Sequence, residues 1–257
     1  MDSINKPFFS IILSTYKEDK YLLKRSIESI LNQSYENFEF IIINDNPDSD
    51  NSFFKFYESS DPKVKIFHNK KNIGLTRSLN KAISLSNGKY IVRQDADDFS
   101  KSERLINAFN YINNNKNVIF YSTPYIINDK IKPNKIFRKI YNSNTIRYKN
   151  FLAHGALIVK SEIIKKLKYN SKFRYAQDFD LYNRLIDQGF YLHYDKKNVS
   201  YFLGTNVNRI SIIYKRDQEL FFNEVLERTG FKFLTTKVSK FFRFDLVVDV
   251  YYAIKKQ

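Results

Sequence analysis

The chain has 257 residues, 43% of them hydrophobic, which suits one large domain with or without a tail and argues against a disordered protein. Cysteine is absent, which excludes disulfides, a thiol nucleophile and a cysteine-based zinc site, and three histidines do not favour a multi-histidine metal site. The net charge of +16 has three interpretations: nucleic-acid binding, attraction to an anionic membrane or a phosphorylated lipid, or lysines spread over a solvated surface.

The first residues are polar and do not form the basic and apolar regions of a signal peptide. No stretch approaches the roughly 18–20 uninterrupted apolar residues that span a bilayer. We therefore expect a cytoplasmic protein that is either soluble or attached to the inner face of the cell membrane.

In the first hundred residues, short apolar runs alternate with segments whose apolar residues have helical spacing. The runs predict buried strands at 8–14, 38–43, 64–67 and 90–93. The segments between them predict helices at 21–33, 53–59 and 75–85, the last ending in a cap at Asn87 and Gly88. This alternation predicts an α/β fold with a parallel, doubly wound sheet.

The second half is less regular. Its pattern predicts helices at 102–113, 161–167 and 179–187, one or two strands within 118–127, and a strand at 155–159. Residues 129–151 are basic and polar and carry no clear pattern. The tail has two amphipathic stretches, 217–228 and 237–256, the second of which mixes aromatic with basic residues. It is expected either to pack on the domain or to lie on an anionic membrane.

Polar clusters follow three of the predicted strands directly. They are Ser14-Thr15-Tyr16, Asn44-Asp45-Asn46 and Asp95-Ala96-Asp97-Asp98. Ligands of open α/β sheets bind at the carboxyl ends of the strands, so we expect these clusters to converge.

The acidic cluster after the fourth strand places three carboxylates on one turn. Carboxylates this close repel one another unless a cation neutralises them, and oxygen ligands of this kind suit Mg²⁺ or Mn²⁺. The alternatives are a solvated acidic turn and a helix N-cap formed by Asp97 or Asp98.

Other candidate residues each have a structural alternative. Asp45 could accept a hydrogen bond from a base or ribose, or form a turn. Asp178 could be a general base, or an acid favoured by the first turn of a helix. His154 is more typical of a structural or hydrogen-bonding role than of a metal ligand. Gly74 could begin a helix or let the backbone approach a phosphate.

Eight segments then carry an ordered set of motifs. They are SIILSTYK at 10–17, SILNQSY at 29–35, FEFIIIND at 38–45, NIGLTRSLNKA at 72–82, RQDADD at 93–98, ERL at 103–105, HGALIVK at 154–160 and YAQDFDLY at 175–182. The set resembles the inverting family-2 glycosyltransferases with the GT-A fold, of the bacterial surface-polysaccharide type, over about residues 8–212.

The resemblance implies a Rossmann-like, mostly parallel central sheet flanked by helices. It further implies a catalytic domain at 1–212, with a nucleotide-binding half at about 1–100 and an acceptor-binding half at about 101–212. A helical, basic and aromatic extension would follow at 213–257.

The resemblance also implies a role for each site residue. Asp178 would be the catalytic base, Asp97 the ligand of Mn²⁺ or Mg²⁺, and His154 and Gln177 would lie on the acceptor side. The nucleotide-sugar would be bound by Ser14, Thr15, Tyr16, Glu18, Asp45, Asn72, Gly74, Arg77, Asp95 and Ala96.

The implied reaction moves one sugar from a nucleotide-sugar, UDP-hexose or UDP-N-acetylhexosamine, to a hydroxyl of a glycan or lipid-linked oligosaccharide. Such a step belongs to the synthesis of lipopolysaccharide, capsule or another surface glycan. The alternatives are that the chain is a basic nucleic-acid-binding protein or a nucleotidyltransferase. The resemblance gives no reason to expect a nucleic-acid partner.

The chain departs from the family pattern in two places. Gln177 stands where the family has a glutamate, so one negative charge beside Asp178 is missing. Many relatives carry a histidine shortly before the position of Ser211, as a further metal or phosphate contact. Residues 204–209 of this chain contain no histidine, and Asn206, Asn208 or Arg209 could take its place. The C-terminal motif of processive synthases is also absent, which favours a single addition.

Overall fold

The computed structural model describes residues 6–135, 142–147, 149–204 and 215–228. Its strands are β1 Phe9–Thr15, β2 Phe38–Asn44, β3 Val64–His68, β4 Tyr90–Arg93, β5 Phe99–Ser100, β6 Phe120–Ser122, β7 Tyr125–Ile127, β8 Lys130–Lys132, β9 Ile158–Lys160, β10 Leu192–Tyr194 and β11 Tyr201–Phe202. Its α-helices are α1 Lys20–Leu31, α2 Ser52–Ser60, α3 Leu75–Leu85, α4 Arg104–Asn114, α5 Ser143–Ile146, α6 Ser161–Leu167, α7 Gln177–Asp187 and α8 Lys215–Arg228.

The large sheet has seven strands in the order β10-β6-β9-β4-β1-β2-β3. All adjacent strands are parallel except that β9 runs antiparallel to both of its neighbours, β4 and β6. The predicted mostly parallel α/β sheet is therefore confirmed. Because β1, β2 and β4 are mutually parallel, their carboxyl ends lie at one edge of the sheet, where the predicted polar clusters are.

The central strands are long apolar runs because helices cover both of their faces. Every residue of β1 and β2 is buried. On one face the core includes apolar residues of α1, α2 and α4, and on the other it includes those of α3, α6 and α7. This two-sided burial fixes the strands that carry the candidate site.

A second sheet has four strands in the order β5-β11-β7-β8, and its strand β5 directly follows the acidic turn in the chain. The antiparallel pairing of β5 with β11 places Tyr201 opposite Ser100 and Phe202 opposite Phe99. The Phe99 and Phe202 rings stack with their centroids 4.3 Å apart, and the Arg25 guanidinium lies 3.5 Å from the Phe99 centroid. Two strands of this sheet have only two residues, too few to show a periodicity in the sequence.

Two local predictions were wrong. Helix α3 ends with Ser86 in an extended conformation, and Gly88 is not its cap. A Cβ atom on Gly88 would lie 2.6 Å from the backbone nitrogen of Ser10, so this glycine instead permits close contact with β1. The strand predicted at 155–159 begins later, at Ile158, because His154–Ala156 forms a turn of 3-10 helix.

Helix α8, the first part of the tail, packs on α7. Phe222 stacks on Phe179 with ring centroids 4.1 Å apart, and Val225 and Leu226 are buried with them. Residues 229–257, including the amphipathic stretch at 237–256, lie outside the described residues. Among the helices that the structure describes, none combines the length and apolar character needed to cross a bilayer.

Candidate active site

The acidic turn follows β4 and is held through its backbone. The side-chain amide of Gln94 donates to the carbonyl oxygens of Asp95, at 3.3 Å, and Asp98, at 3.1 Å. The Ser26 hydroxyl of α1 donates to the same Asp95 carbonyl at 2.8 Å. Since Gln94 is fully buried, its hydrogen bonds attach the backbone of the turn to the protein core.

The three carboxylates of the turn have different surroundings. Asp95 pairs with the buried Arg93, whose guanidinium nitrogen lies 2.5 Å from Asp95 Oδ1. Asp98 is fully buried and accepts hydrogen bonds from the Tyr201 hydroxyl at 2.8 Å and the Gly204 amide at 2.7 Å. Asp95 and Asp97 keep partial exposure, so they are the two that a bound group can reach.

Neither alternative interpretation of Asp98 holds. It is not a solvated turn residue, because both of its carboxylate oxygens are bonded inside the protein. It is not a helix cap either, since the N-cap position of α4 is Glu103. Asp98 instead joins the acidic turn to β11 and the residues that follow it.

Arg104 holds the base of the turn. It is buried, and its guanidinium donates to Gln94 Oε1 at 3.0 Å and to the carbonyl oxygens of Arg93, at 2.9 Å, and Gly155, at 2.7 Å. Burial lowers the pKa of Arg104 to about 10, which leaves the group charged at neutral pH. One cation thus links β4, α4 and the turn around His154.

The carboxyl end of β1 forms a small local network. Glu18 accepts a hydrogen bond from the Thr15 hydroxyl at 2.5 Å and another from the Tyr16 amide at 2.6 Å. Ser14 is buried beside them, whereas the Tyr16 ring is 41% exposed. Of these four predicted nucleotide contacts, Tyr16 therefore offers the largest accessible surface.

Asp45 lies at the carboxyl end of β2 and is buried. Its Oδ1 accepts from Asn69 Nδ2 at 2.8 Å and from the Ile73 amide at 2.9 Å, and its Oδ2 accepts from the Gly74 amide at 2.8 Å. The local turn after β2 is made by Asn44, which accepts from the Asn46 amide. Asp45 therefore fixes the loop before α3, and its predicted contact with a base would use the remaining capacity of Oδ2.

Gly74 begins α3, as one of its two interpretations predicted. Its φ of +84° is a backbone conformation that favours glycine. Asn72 and Arg77 lie exposed on either side of it. The structure thus places these three predicted residues together at one helix entry, next to Asp45.

Asp178 lies in the first turn of α7, and its carboxylate accepts a hydrogen bond from Asn150 Nδ2 at 2.7 Å. It does not cap the helix, because the N-cap position belongs to Ala176, which has a φ of +52°. Gln177 is buried beside it. The carboxylate is therefore held by a contact from a distant segment.

His154 lies next to this group. Its Nε2 is 2.8 Å from the Tyr169 hydroxyl. Burial, and after it the nearby positive charge of Arg93, lower the pKa of His154, while the Asp178 and Asp95 carboxylates oppose that shift. These interactions connect the acidic turn with Asp178, residues that are far apart in the sequence.

Two tyrosines complete the surroundings of Asp178. Burial raises the pKa of both Tyr169 and Tyr182, and the negative charge of Asp178 adds to the effect. The Tyr182 hydroxyl is buried without a hydrogen-bond partner among the residues described. Both phenols therefore stay protonated beside the candidate base.

The fit of the turn to a divalent cation can be judged from its donors. Within the described part of the chain, no three histidine or carboxylate side chains converge on a metal position. Mg²⁺ usually binds through one or two carboxylates and completes its coordination with water and substrate phosphates. The partly exposed carboxylates of Asp95 and Asp97 suit that mode, whereas Asp98 is already engaged.

Several contributors were not among the predicted site residues: Arg93, Gln94, Arg104, Asn150, Tyr169 and Tyr201. The first three lie inside recognised motifs. For Arg93 and Gln94 the available signal was a charged or polar side chain at the end of a buried strand, and for Arg104 it was the ERL motif. Asn150, Tyr169 and Tyr201 lie in segments whose local sequence carries no comparable sign.

A polar groove of about 550 Å³ lies elsewhere, between α4 and residues 194–198. Asparagines of α4 and two lysines line it, and it includes none of the predicted site residues. The strand-end cluster has the carboxylates, the buried cation and the perturbed pKa values, so it is the better candidate site.

Comparisons with known sequences show what this chain is similar to. The family model described as Glycosyl transferase family 2 matches residues 10–194. An uncharacterized glycosyltransferase of Methanocaldococcus jannaschii, MJ1057, is 37% identical over 193 residues, which cover 71% of this chain and 66% of the relative. The O-antigen biosynthesis glycosyltransferase WbnJ of Escherichia coli is 32% identical over 186 residues, covering 70% of this chain and 72% of that one.

Solved structures show the same fold at low sequence identity. A mannosyltransferase of Pyrobaculum calidifontis, in complex with GDP-Man and Mn²⁺, matches 88% of this chain and 64% of its own with a TM-score of 0.71 and 17% identity. S. aureus TarS 1-349, in complex with UDP-GlcNAc, matches 90% of this chain and 67% of its own with a TM-score of 0.67 and 18% identity. The implied GT-A fold is thus confirmed. Since the family model matches most of the sequence, the chain belongs to glycosyl transferase family 2.

Proposed function

We propose that this protein is an inverting glycosyltransferase that moves one sugar from a nucleotide-sugar to an acceptor hydroxyl. The observation that carries the proposal is the meeting of the acidic turn after β4 with Asp178 of α7, around Arg93 and His154. Sugar transfer needs the group that binds the donor diphosphate and the group that activates the acceptor to lie side by side, and the acidic turn and Asp178 do so.

The donor would bind along the carboxyl ends of β1, β2 and β4. Asp45 and the exposed ring of Tyr16 would contact the nucleobase of the donor. Ser14, Thr15 and Glu18 would shape the turn after β1. Asn72, Gly74 and Arg77 would lie along the nucleotide, and Asp95 would face the ribose. The side chain of Ala96 is buried in the core, so this predicted contact would use its backbone alone. A UDP-hexose or UDP-N-acetylhexosamine is the donor we propose, in line with the UDP-GlcNAc bound by TarS.

Asp97, with Asp95 beside it, would hold a Mn²⁺ or Mg²⁺ ion together with the donor diphosphate. Such an ion stabilises the negative charge of the departing nucleoside diphosphate as a Lewis acid. The Mn²⁺ in the mannosyltransferase complex supports this assignment. Any contribution from Asn206, Asn208 or Arg209 falls outside the described residues.

In the transfer step, the Asp178 carboxylate takes the proton of the acceptor hydroxyl. The acceptor oxygen forms a bond to the anomeric carbon from the face opposite the leaving group. The bond between that carbon and the diphosphate oxygen breaks, and its electron pair leaves with the nucleoside diphosphate. His154 and Gln177, beside Asp178, would contact the acceptor.

We further propose a glycan or lipid-linked oligosaccharide as the acceptor, in the synthesis of a surface polysaccharide. The O-antigen role in the name of the Escherichia coli relative supports this class. The net charge of +16 would favour an acceptor or membrane surface that carries phosphate. Location at the inner face of the membrane, and membrane contact by the tail, stay predictions.

The first test combines donor binding with turnover. The full chain is screened by thermal shift against UDP-glucose, UDP-galactose, UDP-N-acetylglucosamine, UDP-N-acetylgalactosamine and GDP-mannose, with Mn²⁺ or with EDTA. We expect one UDP-sugar to raise the melting temperature with Mn²⁺ and to release UDP. Release of pyrophosphate from UTP and a sugar 1-phosphate, in a parallel incubation, would indicate a nucleotidyltransferase instead.

Two substitutions then test the assigned roles. Asp97→Ala should remove the Mn²⁺-dependent thermal shift, and Asp178→Asn should keep that shift while lowering turnover by about 10²–10⁴-fold, the usual contribution of a general base. Asp187→Asn, in a surface ion pair at the far end of α7, is the matched control and should leave both unchanged. Full turnover by both site variants would refute the mechanism.

A further inference from the structure

Asn150 makes the one hydrogen bond to the Asp178 carboxylate that is found among the described residues. Its Nδ2 lies 2.7 Å from Asp178 Oδ2. The two residues are 28 positions apart, so tertiary structure brings them together. The other carboxylate oxygen, Oδ1, accepts no hydrogen bond from the described part of the chain.

The orientation of the Asn150 amide is fixed by a second contact. Its Oδ1 accepts a hydrogen bond from the Leu152 amide at 3.3 Å. With the oxygen engaged in this local turn, the NH₂ group faces Asp178. Phe151 and Leu152 are buried in the core, so the segment that carries Asn150 has little freedom to move.

The same segment also carries His154, which interacts electrostatically with Asp178. On the other side, Asp178 follows Ala176, which has a left-handed backbone conformation, and the buried Gln177. The Asp178 carboxylate therefore lies between two segments whose backbone is held in place, the one that carries Asn150 and the one that carries Ala176. A general base works only within hydrogen-bond reach of the proton that it removes, so its rotamer matters.

We propose that Asn150 is a positioning residue for the base, holding Asp178 so that Oδ1 faces the acceptor hydroxyl. This inference rests on the proposed function, in which Asp178 is that base. A neutral amide suits the task because it donates to the carboxylate without forming an ion pair that would reduce its basicity. Asn150 acts through Asp178 and does not touch the reacting atoms.

The test uses a change of similar volume, Asn150→Leu, and a truncation, Asn150→Ala. Both remove the donor without placing a second carboxylate beside Asp178. We expect kcat for UDP release to fall about 10- to 100-fold in both, the usual effect of losing the partner that orients a functional group. KM for the UDP-sugar and its Mn²⁺-dependent thermal shift should stay unchanged, which loss of structure would not allow. In a crystal structure of Asn150→Ala, the Asp178 side chain should leave its original rotamer.

Asn198 supplies a matched control. Its Nδ2 donates to Asp195 Oδ2 at the same distance, 2.7 Å, but that pair lies by the polar groove beside α4. Asn198→Leu should therefore keep full kcat. If Asp178→Asn is inactive while Asn150→Leu and Asn150→Ala retain full kcat and the original Asp178 rotamer, Asn150 does not position the base. If Asp178→Asn itself is fully active, the proposed function fails together with this inference.

Discussion

Arg104 shows how much a single buried side chain contributes to the site. It donates hydrogen bonds to two backbone carbonyls and two side chains, and its guanidinium lies 4.9 Å from the centre of the Tyr201 ring. Tyr201 in turn donates to Asp98 and accepts from the Asp95 amide. Removal of the cation would leave these buried acceptors without donors, which costs more than the net value of the bonds.

We therefore expect Arg104→Met to lower the free energy of unfolding by about 3 kcal/mol or more, as for other broken buried networks. Urea denaturation followed by circular dichroism measures the change. Arg147→Ala is the control, because the Arg147–Asp187 pair is partly exposed and should contribute about 1 kcal/mol or less. Equal losses in the two variants would contradict the role given to Arg104.

At the scale of elements, helix α7 links Asp178, the proposed base, to the tail. Its first turn carries Asp178, and its buried Asp180 accepts hydrogen bonds from Arg184 and from Arg228 of α8. The stack of Phe179 on Phe222 adds an apolar contact between the same helices. Packing of α8 therefore stabilises α7, the helix that carries Asp178.

We expect Phe222→Ala to destabilise the protein by about 1–2 kcal/mol, less than for a fully buried phenylalanine because this ring is half-buried. Hydrogen exchange should show faster opening of α7 in the same variant. Leu220→Ala, on the same helix, is the control, since that side chain is 62% exposed. Unchanged exchange in α7 would mean that α8 does not support it.

At the scale of the whole molecule, buried phenols set an upper pH limit for stability. Burial raises the pKa of Tyr57 to about 12 and also raises those of Tyr121, Tyr169, Tyr182 and Tyr201. The unfolded chain ionises its tyrosines near pH 10, so it binds fewer protons than the folded protein above that pH. Their contribution is complete below pH 10 and is lost as the pH rises towards the folded-state values.

The free energy of unfolding should therefore decline above about pH 10, as measured by urea denaturation at stepped pH. Arg104 acts in the opposite direction, because its pKa is lowered on folding, but it is one group against five. Tyr57→Phe removes one phenol and should flatten the decline between about pH 10 and 12. If the free energy of unfolding of this variant declined as steeply with pH as that of the unmodified chain, the contribution assigned to Tyr57 would be wrong.

The sequence by itself determined the parts that depend on neighbouring residues. Apolar runs predicted β1 to β4, the alternation of strands and helices predicted a parallel sheet, and the ordered motifs implied the family. These signals are strong because two-sided burial requires continuous apolar strands, and because parallel strands gather their carboxyl ends at one edge. The polar residues after β1, β2 and β4 could therefore be predicted to lie together.

Only the tertiary structure decided which of those residues remain accessible and what holds them. Asp98 and Asp95 are neighbours of Asp97 on one turn, yet the hydroxyl of Tyr201, more than a hundred positions away, donates its one proton to the Asp98 carboxylate. Asn150 reaches Asp178 in the same way. Such contacts join segments whose local patterns are independent, so no spacing in the sequence records them. The short strands β5 and β11, which bring Tyr201 to the turn, gain their stability from pairing and burial, and these exist only once the chain has folded.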